Sequence, residues 1–402
     1  MPDKLRILVS IPTLAEGKGG AEKTASRLAN LLAERGYEVA VAHRKRGDRK
    51  PSYPLDESIK VFPINYHQSI DGKVKYFSPD CVIVFYFDTN ALWQIRYFKA
   101  LGRPIVTQEC CSPLTAIRNI AKFSPFKELS FSDVFFIRQS IFATVDGMRF
   151  VMPSYEKSVL PFMREKAKGF LNYPGKPVPN PSYGQKREKY KILCVGGLKT
   201  INKNGVVVAK AFARIAQSHP NWELHFFGLN NFKQEIDKIT RRHGLQDRIV
   251  DRGIVHEIDQ EYLSAEFTVM PSFEEGNPNV VNEAIMHGVP VIGFDDCPGY
   301  CGLVTHEKDS LIISRENEVE SLASAMDRMM RDRQLRLHLS QGAKETVRNR
   351  TPASLDQYYE YWEKLIYDAI LKRRSTQKCQ RSTHLRGIFE ESCDFFEMHQ
   401  NR

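Results

Sequence analysis

The feature that most constrains this 402-residue chain is a strand–helix–strand alternation that runs, halts at a proline-rich stretch and begins again. Residues 5–12 (LRILVSIP) read as a buried strand, and the loop TLAEGKGG follows. A helix is then expected over about 21–35, its apolar stripe Ala21, Ala25, Leu28, Ala29 and Leu32 at helical spacing and Gly36 at its end. Residues 37–43 (YEVAVAH) give the next strand, and further apolar strands follow around 81–87 and 104–107. The stretch 172–190 (NYPGKPVPNPSYGQKREKY) has the composition of a linker. Beyond it come strands at 191–196, 222–227 and 266–271, helices at about 205–218 and 231–243, and a further helix and strand within 278–294. Such alternation calls for parallel sheets with crossover helices. The expected class is α/β: two Rossmann-like, doubly wound domains, residues 1–180 and 181–352, facing each other across a cleft at the carboxyl edges of their strands.

Residues 353–374 are expected to form a crossover helix that returns to the first domain. Leu355, Tyr358, Tyr359, Trp362, Leu365, Ile366, Ala369 and Ile370 share one face of it. The polar segment 375–402 carries no pattern that assigns it. No apolar run approaches the ~18 residues of a membrane span. The amino terminus lacks the apolar core of a signal peptide, so a cytoplasmic location is expected. The eight cysteines have neither the density of a disulfide scaffold nor the paired spacing of a zinc site. Charge is unevenly placed: residues 1–190 hold 30 Lys and Arg against 18 Asp and Glu, and the remainder 28 against 30. A positive first half suits an anionic surface, and its basic, aromatic-rich stretches around 96–103, 118–150 and 162–170 suit peripheral contact with the inner leaflet of a membrane. Nucleic acid is not expected as a partner, because aromatic stacking platforms at suitable spacing are missing.

Chemistry concentrates in residues 271–294, PSFEEGNPNVVNEAIMHGVPVIGF. A strand ends at Pro271-Ser272, and a loop carries Glu274, Glu275 and Gly276. Asn277 is placed as helix N-cap with Pro278 as first helical residue, and the helix runs to His287. Val281, Ala284, Ile285 and Gly288 form its packed face, while Asn279 and Glu283 lie one turn apart on the other. Amides of Asn279 and Val280 at the helix start suit anions or sugar hydroxyls. Two carboxylates, Glu275 and Glu283, suit a polyhydroxylated ligand, since a carboxylate can accept several hydrogen bonds from a diol.

Taken together, this segment resembles glycosyltransferase family 4, the retaining GT-B enzymes also grouped as glycosyl transferases group 1. The mark is Glu-x7-Glu, here Glu275 to Glu283, followed by Ala284 and Gly288-Val289-Pro290-Val291. The resemblance implies that Glu283 binds the nucleotide ribose and Glu275 the donor sugar, with the backbone over 276–279 meeting sugar and diphosphate. VGGLKTINKNG (195–205) is similar to the family's phosphate-binding loop. Lys203 takes the place of its lysine; Gly197 stands where arginine is usual, and Lys199 is the candidate for that charge. GGAEKTASRLANLLAERGYEV (19–39) resembles the family's first helix entry, where Gly20 lets the chain approach donor phosphates. Glu109 and Arg138 resemble polar positions of related sugar-polymer enzymes and are the candidates for the acceptor side.

The resemblance thus implies a retaining hexosyltransferase-like enzyme. It would carry sugar from a nucleotide-sugar donor to a glycan or lipid-linked acceptor in cell-surface polysaccharide or lipopolysaccharide synthesis. Glu275 and Lys203 would act at the reacting centre. Asp295-Asp296 lacks the spacing of a metal-binding DxD loop, so no metal and no cofactor are expected, with lysine and helix-start amides stabilising the leaving diphosphate. The alternatives are a sugar-nucleotide epimerase of the same fold and a non-catalytic partner subunit.

Overall fold

The structure is a computed structural model and describes residues 4–14, 19–44, 51–66, 68–86, 90–123, 130–173, 175–196, 200–255, 257–350 and 354–375. It divides into two compact units, Met1–Asn172 with Asp356–Arg402, and Tyr173–Leu355.

The first unit runs β1 (Arg6–Ile11), α1 (Gly20–Glu34), β2 (Glu38–Arg44), β3 (Lys60–Ile64), α2 (Gly72–Phe77), β4 (Cys81–Tyr86), α3 (Asn90–Lys99), β5 (Ile105–Glu109), α4 (Pro113–Phe123), α5 (Phe131–Thr144), β6 (Gly147–Phe150) and β7 (Ala167–Gly169). Its seven strands pair in parallel in the order β3-β2-β1-β4-β5-β6-β7. A parallel strand covered on both faces reads as an unbroken apolar run, and β4 (CVIVFY) is buried at every position. Gly36 follows α1 at φ +88°, a left-handed conformation in which a side chain would be strained, so the helix stops there.

The second unit runs β8 (Tyr190–Val195), α6 (Gly205–Ile215), β9 (Trp222–Phe227), α7 (Lys233–Arg242), β10 (Ile249–Gly253), α8 (Ile258–Ser264), β11 (Ala265–Met270), α9 (Asn279–Met286), β12 (Val291–Phe294), α10 (Pro298–Cys301), β13 (Leu311–Ile313), α11 (Glu318–Arg331) and α12 (Arg333–Asn349). Its six parallel strands take the order β10-β9-β8-β11-β12-β13. The core lies between this sheet and its helices, with Val208, Phe212, Phe267, Ile292 and Met326 fully buried.

The proline-rich stretch is not a loose connection throughout. Past Asn172 it packs on the second unit: the Val178 amide donates to the Met286 carbonyl at 2.8 Å, and the Tyr183 hydroxyl to the Glu266 carbonyl at 2.6 Å. Tyr183 is buried, which fixes the stretch by apolar contact as well.

The helix α13 (Leu355–Ser375) belongs with the first unit. Tyr358, Tyr359, Trp362, Leu365, Ile366 and Ala369 are its buried stripe. Trp362 stacks on Phe85 of β4 with ring centroids 6.4 Å apart and meets Phe170 edge-on at 5.8 Å. Leu365 and Ala369 lie against Gly147, where a Cβ would sit 3.2 Å from Leu365 Cδ1. The Tyr37 hydroxyl donates to Glu363 Oε1 at 2.5 Å, and the Arg35 guanidinium lies 4.3 Å from the centre of the Tyr359 ring.

One ion pair is enclosed in the first unit. Arg138 of α5 donates through Nε to Glu109 Oε1 at 2.8 Å and through Nη2 to Glu109 Oε2 at 2.5 Å. Both side chains are buried, at 0% and 1% exposure. The Tyr86 hydroxyl also donates to Glu109 Oε1 at 3.2 Å, and Arg138 Nη1 and Nη2 reach the Ser158 carbonyl and hydroxyl. Deleting one partner of such a pair strands the other in low dielectric. Glu109→Gln is therefore expected to destabilise the first unit by about 3–5 kcal/mol in urea unfolding. Trp362→Ala should cost ~3–5 kcal/mol in the same transition, and an unchanged midpoint would show that α13 does not cap this sheet.

Candidate functional site

In an open parallel sheet, ligands bind beyond the carboxyl ends of the strands, where the strand order reverses. In the second unit that point lies between β8 and β11, which are adjacent in the sheet but distant in sequence. The loop after β8 passes Gly196, which adopts φ +118°, and ends in a 3-10 turn, Ile201–Lys203. The loop after β11 carries Phe273, Glu274 and Glu275. Two hydrogen bonds tie them: the Phe273 amide donates to the Asn202 carbonyl, and Asn202 Nδ2 to the Glu274 carbonyl, each at 2.9 Å. This docking brings Lys203 Nζ to 2.6 Å from Glu275 Oε1. Their side chains are 31% and 15% exposed, so the pair is partly open to ligand and solvent. An ammonium has three donors, which lets Lys203 hold Glu275 and a phosphate oxygen together.

The loop after β11 is held from its other side. Arg315, just after β13, donates to the Pro271 carbonyl at 3.3 Å, the Ser272 carbonyl at 2.9 Å and Asp296 Oδ2 at 2.6 Å. Its guanidinium lies over the Phe273 and Phe294 rings at 4.2 and 3.9 Å. Asp296 is thus engaged by Arg315. Gly299 of α10 presses on the same loop: a Cβ there would overlap the Glu275 and Gly276 carbonyls. Gly276 itself is buried.

The helix start differs from the expectation. Pro278 is the N-cap of α9, and Asn279 and Val280 are its first two residues. Asn277 stands one residue before the cap, and its Oδ1 accepts from Asn282 Nδ2 at 2.6 Å. Asn282 is in turn held by Arg350 Nη1 at 2.5 Å, so Asn277 is drawn inward. Asn279, Val280 and Glu283 are half-buried, and Val280 Cγ1 lies 3.5 Å from the position of a Cβ on Gly196. The β8 loop and the first turn of α9 therefore adjoin. Glu283 Oε2 accepts from the Tyr262 hydroxyl at 3.2 Å.

Lys199 and Gly197 lie outside the described residues. Gly20 is the first residue of α1 and is exposed, and a Cβ on the preceding Gly19 would collide with the Glu22 carboxylate. Glu109 and Arg138 form the enclosed pair of the first unit. Sequence reasoning missed Asn202, Arg315 and Tyr262, which reach the site only through tertiary contacts. Ser310 is buried, and its hydroxyl accepts from the Val291 amide at 3.2 Å.

Residues 180–346 match the profile of a family described as glycosyl transferases group 1. An exopolysaccharide phosphotransferase of Streptomyces coelicolor is 29% identical over 180 residues, which is 44% of this chain and 19% of that protein's length. A Campylobacter jejuni protein is 24% identical over 378 residues, 90% of this chain and 98% of its own; it is the GalNAc-alpha-(1->4)-GalNAc-alpha-(1->3)-diNAcBac-PP-undecaprenol alpha-1,4-N-acetyl-D-galactosaminyltransferase. Among solved structures, Anabaena HepE in complex with UDP superposes with a TM-score of 0.65 at 16% identity, covering 90% of this chain and all of that one. The two Rossmann-like units are those of the GT-B fold, residues 180–346 of the second are similar to glycosyl transferases group 1, and the chain is a glycosyltransferase.

Proposed function

We propose that the chain transfers a sugar, with retention, from a nucleotide-sugar donor to a glycan or lipid-linked acceptor in the synthesis of a cell-surface polysaccharide or lipopolysaccharide. The observation that carries this reading is the 2.6 Å pair of Lys203 and Glu275 at the carboxyl ends of β8 and β11. It supports the reading because a cation suited to phosphate lies beside a carboxylate suited to sugar hydroxyls. The family match over the same residues and the lipid-linked acceptor in the Campylobacter relative's name support it.

In this scheme the donor lies on the second unit and the acceptor on the first. Glu283 holds the ribose, Glu275 orients the sugar, and Lys203 with the amides of Asn279 and Val280 stabilises the departing diphosphate. The bond between the anomeric carbon and the phosphate oxygen breaks, and its electron pair leaves with the diphosphate. The acceptor hydroxyl attacks from the same face and passes its proton to the departing phosphate oxygen. No metal is required, since the lysine and the helix-start amides supply the positive potential. A glycosyl adduct trapped on a carboxylate would overturn same-face attack.

The first unit offers a surface for the membrane side of this reading. Leu114, Phe131, Phe136 and Phe162 are exposed, as are Arg118, Lys122, Arg164 and Lys168. Apolar side chains among cations suit peripheral docking on anionic lipid. No helix among the described residues is long and apolar enough to cross a membrane.

Two outcomes test the scheme. Donors are first ranked by thermal stabilisation with UDP-, GDP- and ADP-sugars. Glu283→Gln should then weaken both donor and nucleoside diphosphate by about one to two powers of ten, the loss of a charge-assisted hydrogen bond. Glu275→Gln should spare diphosphate affinity while turnover falls sharply, because the sugar is misoriented at transfer. Lys203→Ala should lower both, since it removes the phosphate cation and unpins Glu275. Equal losses of diphosphate affinity for the two glutamates, by calorimetry, would refute the assignment. Sugar-nucleotide epimerisation without acceptor would instead favour an epimerase. Separately, binding to vesicles containing phosphatidylglycerol should weaken as salt rises and fall further in Phe131→Ser. Binding indifferent to both salt and lipid charge would refute membrane docking.

A further inference from the structure

We propose that Tyr262 is a positioning residue that fixes Glu283 in the orientation that grips the ribose; this rests on the reading of Glu283 given above. Tyr262 stands on α8, a helix that carries no part of the Glu-x7-Glu segment, and it is completely buried. Its hydroxyl lies 3.2 Å from Glu283 Oε2 and 3.3 Å from the Val280 carbonyl oxygen. A phenol has one proton, so this single donor is shared between the carboxylate and the first turn of the helix that bears it. Burial and the neighbouring Glu283 carboxylate push the phenol well above the usual tyrosine range, so it remains a donor.

The ring beneath that hydroxyl is itself fixed. Tyr262 stacks on His287 with centroids 5.3 Å apart and planes 23° from parallel. His287 Nδ1 lies 2.7 Å from the Glu283 carbonyl oxygen, which can only accept, so the imidazole donates there. Glu283 is therefore braced twice, its backbone by His287 and its carboxylate by Tyr262, and the two braces pack on each other. A glutamate on a helix has three side-chain torsions to freeze before it can meet a diol, and a preformed bond removes part of that cost from binding. A carboxylate oxygen that accepts one bond keeps capacity for another, so Oε2 can serve Tyr262 and a ribose hydroxyl together.

Buried tyrosine hydroxyls commonly find an acceptor for structural reasons alone. The test therefore needs a readout that packing would not move. Tyr262→Phe keeps the stacked ring and removes only the hydroxyl. Its affinity, and that of Glu283→Gln and of the double variant, is measured by calorimetry for whichever of UDP, GDP or ADP binds the natural protein, for the corresponding 2′,3′-dideoxynucleoside diphosphate, and for inorganic pyrophosphate. Tyr262→Phe is expected to weaken the ribonucleoside diphosphate roughly three- to ten-fold, the range for one net hydrogen bond. It should leave the dideoxy compound and pyrophosphate unchanged, and it should add little once Glu283 is already glutamine. Equal weakening of all three probes would make Tyr262 a packing residue and overturn the proposal. So would full ribonucleotide affinity in Tyr262→Phe while Glu283→Gln loses it. If Glu283→Gln itself fails to distinguish ribose from dideoxyribose, the ribose reading of Glu283 falls, and the positioning role falls with it.

Discussion

Every strand pairing in both sheets is parallel, and this constraint shapes the rest. A parallel neighbour cannot be reached by a tight turn, so each connection must cross the sheet and bring all carboxyl ends to one edge. Where the order reverses between β8 and β11, the loops leaving those strands emerge side by side and their helices diverge to opposite faces. Lys203 and Glu275 are 72 positions apart in sequence, and the topology delivers them to adjacent loops. The Asn202 bonds to the 273–274 backbone then turn adjacency into contact.

Those loops carry backbone groups that no sheet partner satisfies, and Arg315 supplies the donors. Its fork takes the carbonyls of Pro271 and Ser272, its Nε takes Asp296, and its planar face covers Phe273 and Phe294. A lysine could not reproduce this set, because an ammonium has neither the rigid fork nor the flat face. Arg315 Nη1 also reaches Glu318 Oε2 at 3.5 Å, and that same oxygen accepts from Asn204 Nδ2, next to Lys203, at 2.9 Å. One side chain from the end of β13 thus steadies both loops of the site.

What could be read from the sequence was what periodicity and local spacing encode. The strand β4 is apolar at consecutive positions because both its faces are covered, and the α13 stripe recurs at helical spacing because one face meets the first sheet. Glu275 and Glu283 stood out because strand, loop and helix lie contiguous around them. The N-cap of α9 falls on Pro278, one residue beyond Asn277, whose side chain meets Asn282, itself held by Arg350, 68 residues further on. The stretch after Asn172 looked like a linker because prolines dominate it, while Tyr183 and Asn180 anchor it to the second unit by burial that composition cannot register. Tyr262 and Arg315 were invisible for the same reason: each is an ordinary residue in its own segment, given meaning by a neighbour from another.

The two carboxylate–cation pairs separate structure from chemistry by their surroundings. Glu109 and Arg138 are sealed from solvent and share two hydrogen bonds, with Tyr86 and Ser158 completing the set. In such a place the partners can neither part nor accept a third charge without a large desolvation cost, so the pair holds α5 to the end of β5. Lys203 and Glu275 make one bond at a partly open edge. An ion pair of that kind contributes little net stability, typically under about 1 kcal/mol, so a phosphate or a sugar hydroxyl can compete for either partner. The same two residue types are a brace where water is excluded and are open to a ligand where it is not. The sequence resemblance placed all four among functional positions. Glu109 and Arg138 are enclosed, whereas Lys203 and Glu275 stay open enough to rearrange, which is what the proposed donor site needs, because the sugar must be held before transfer and the diphosphate released after it.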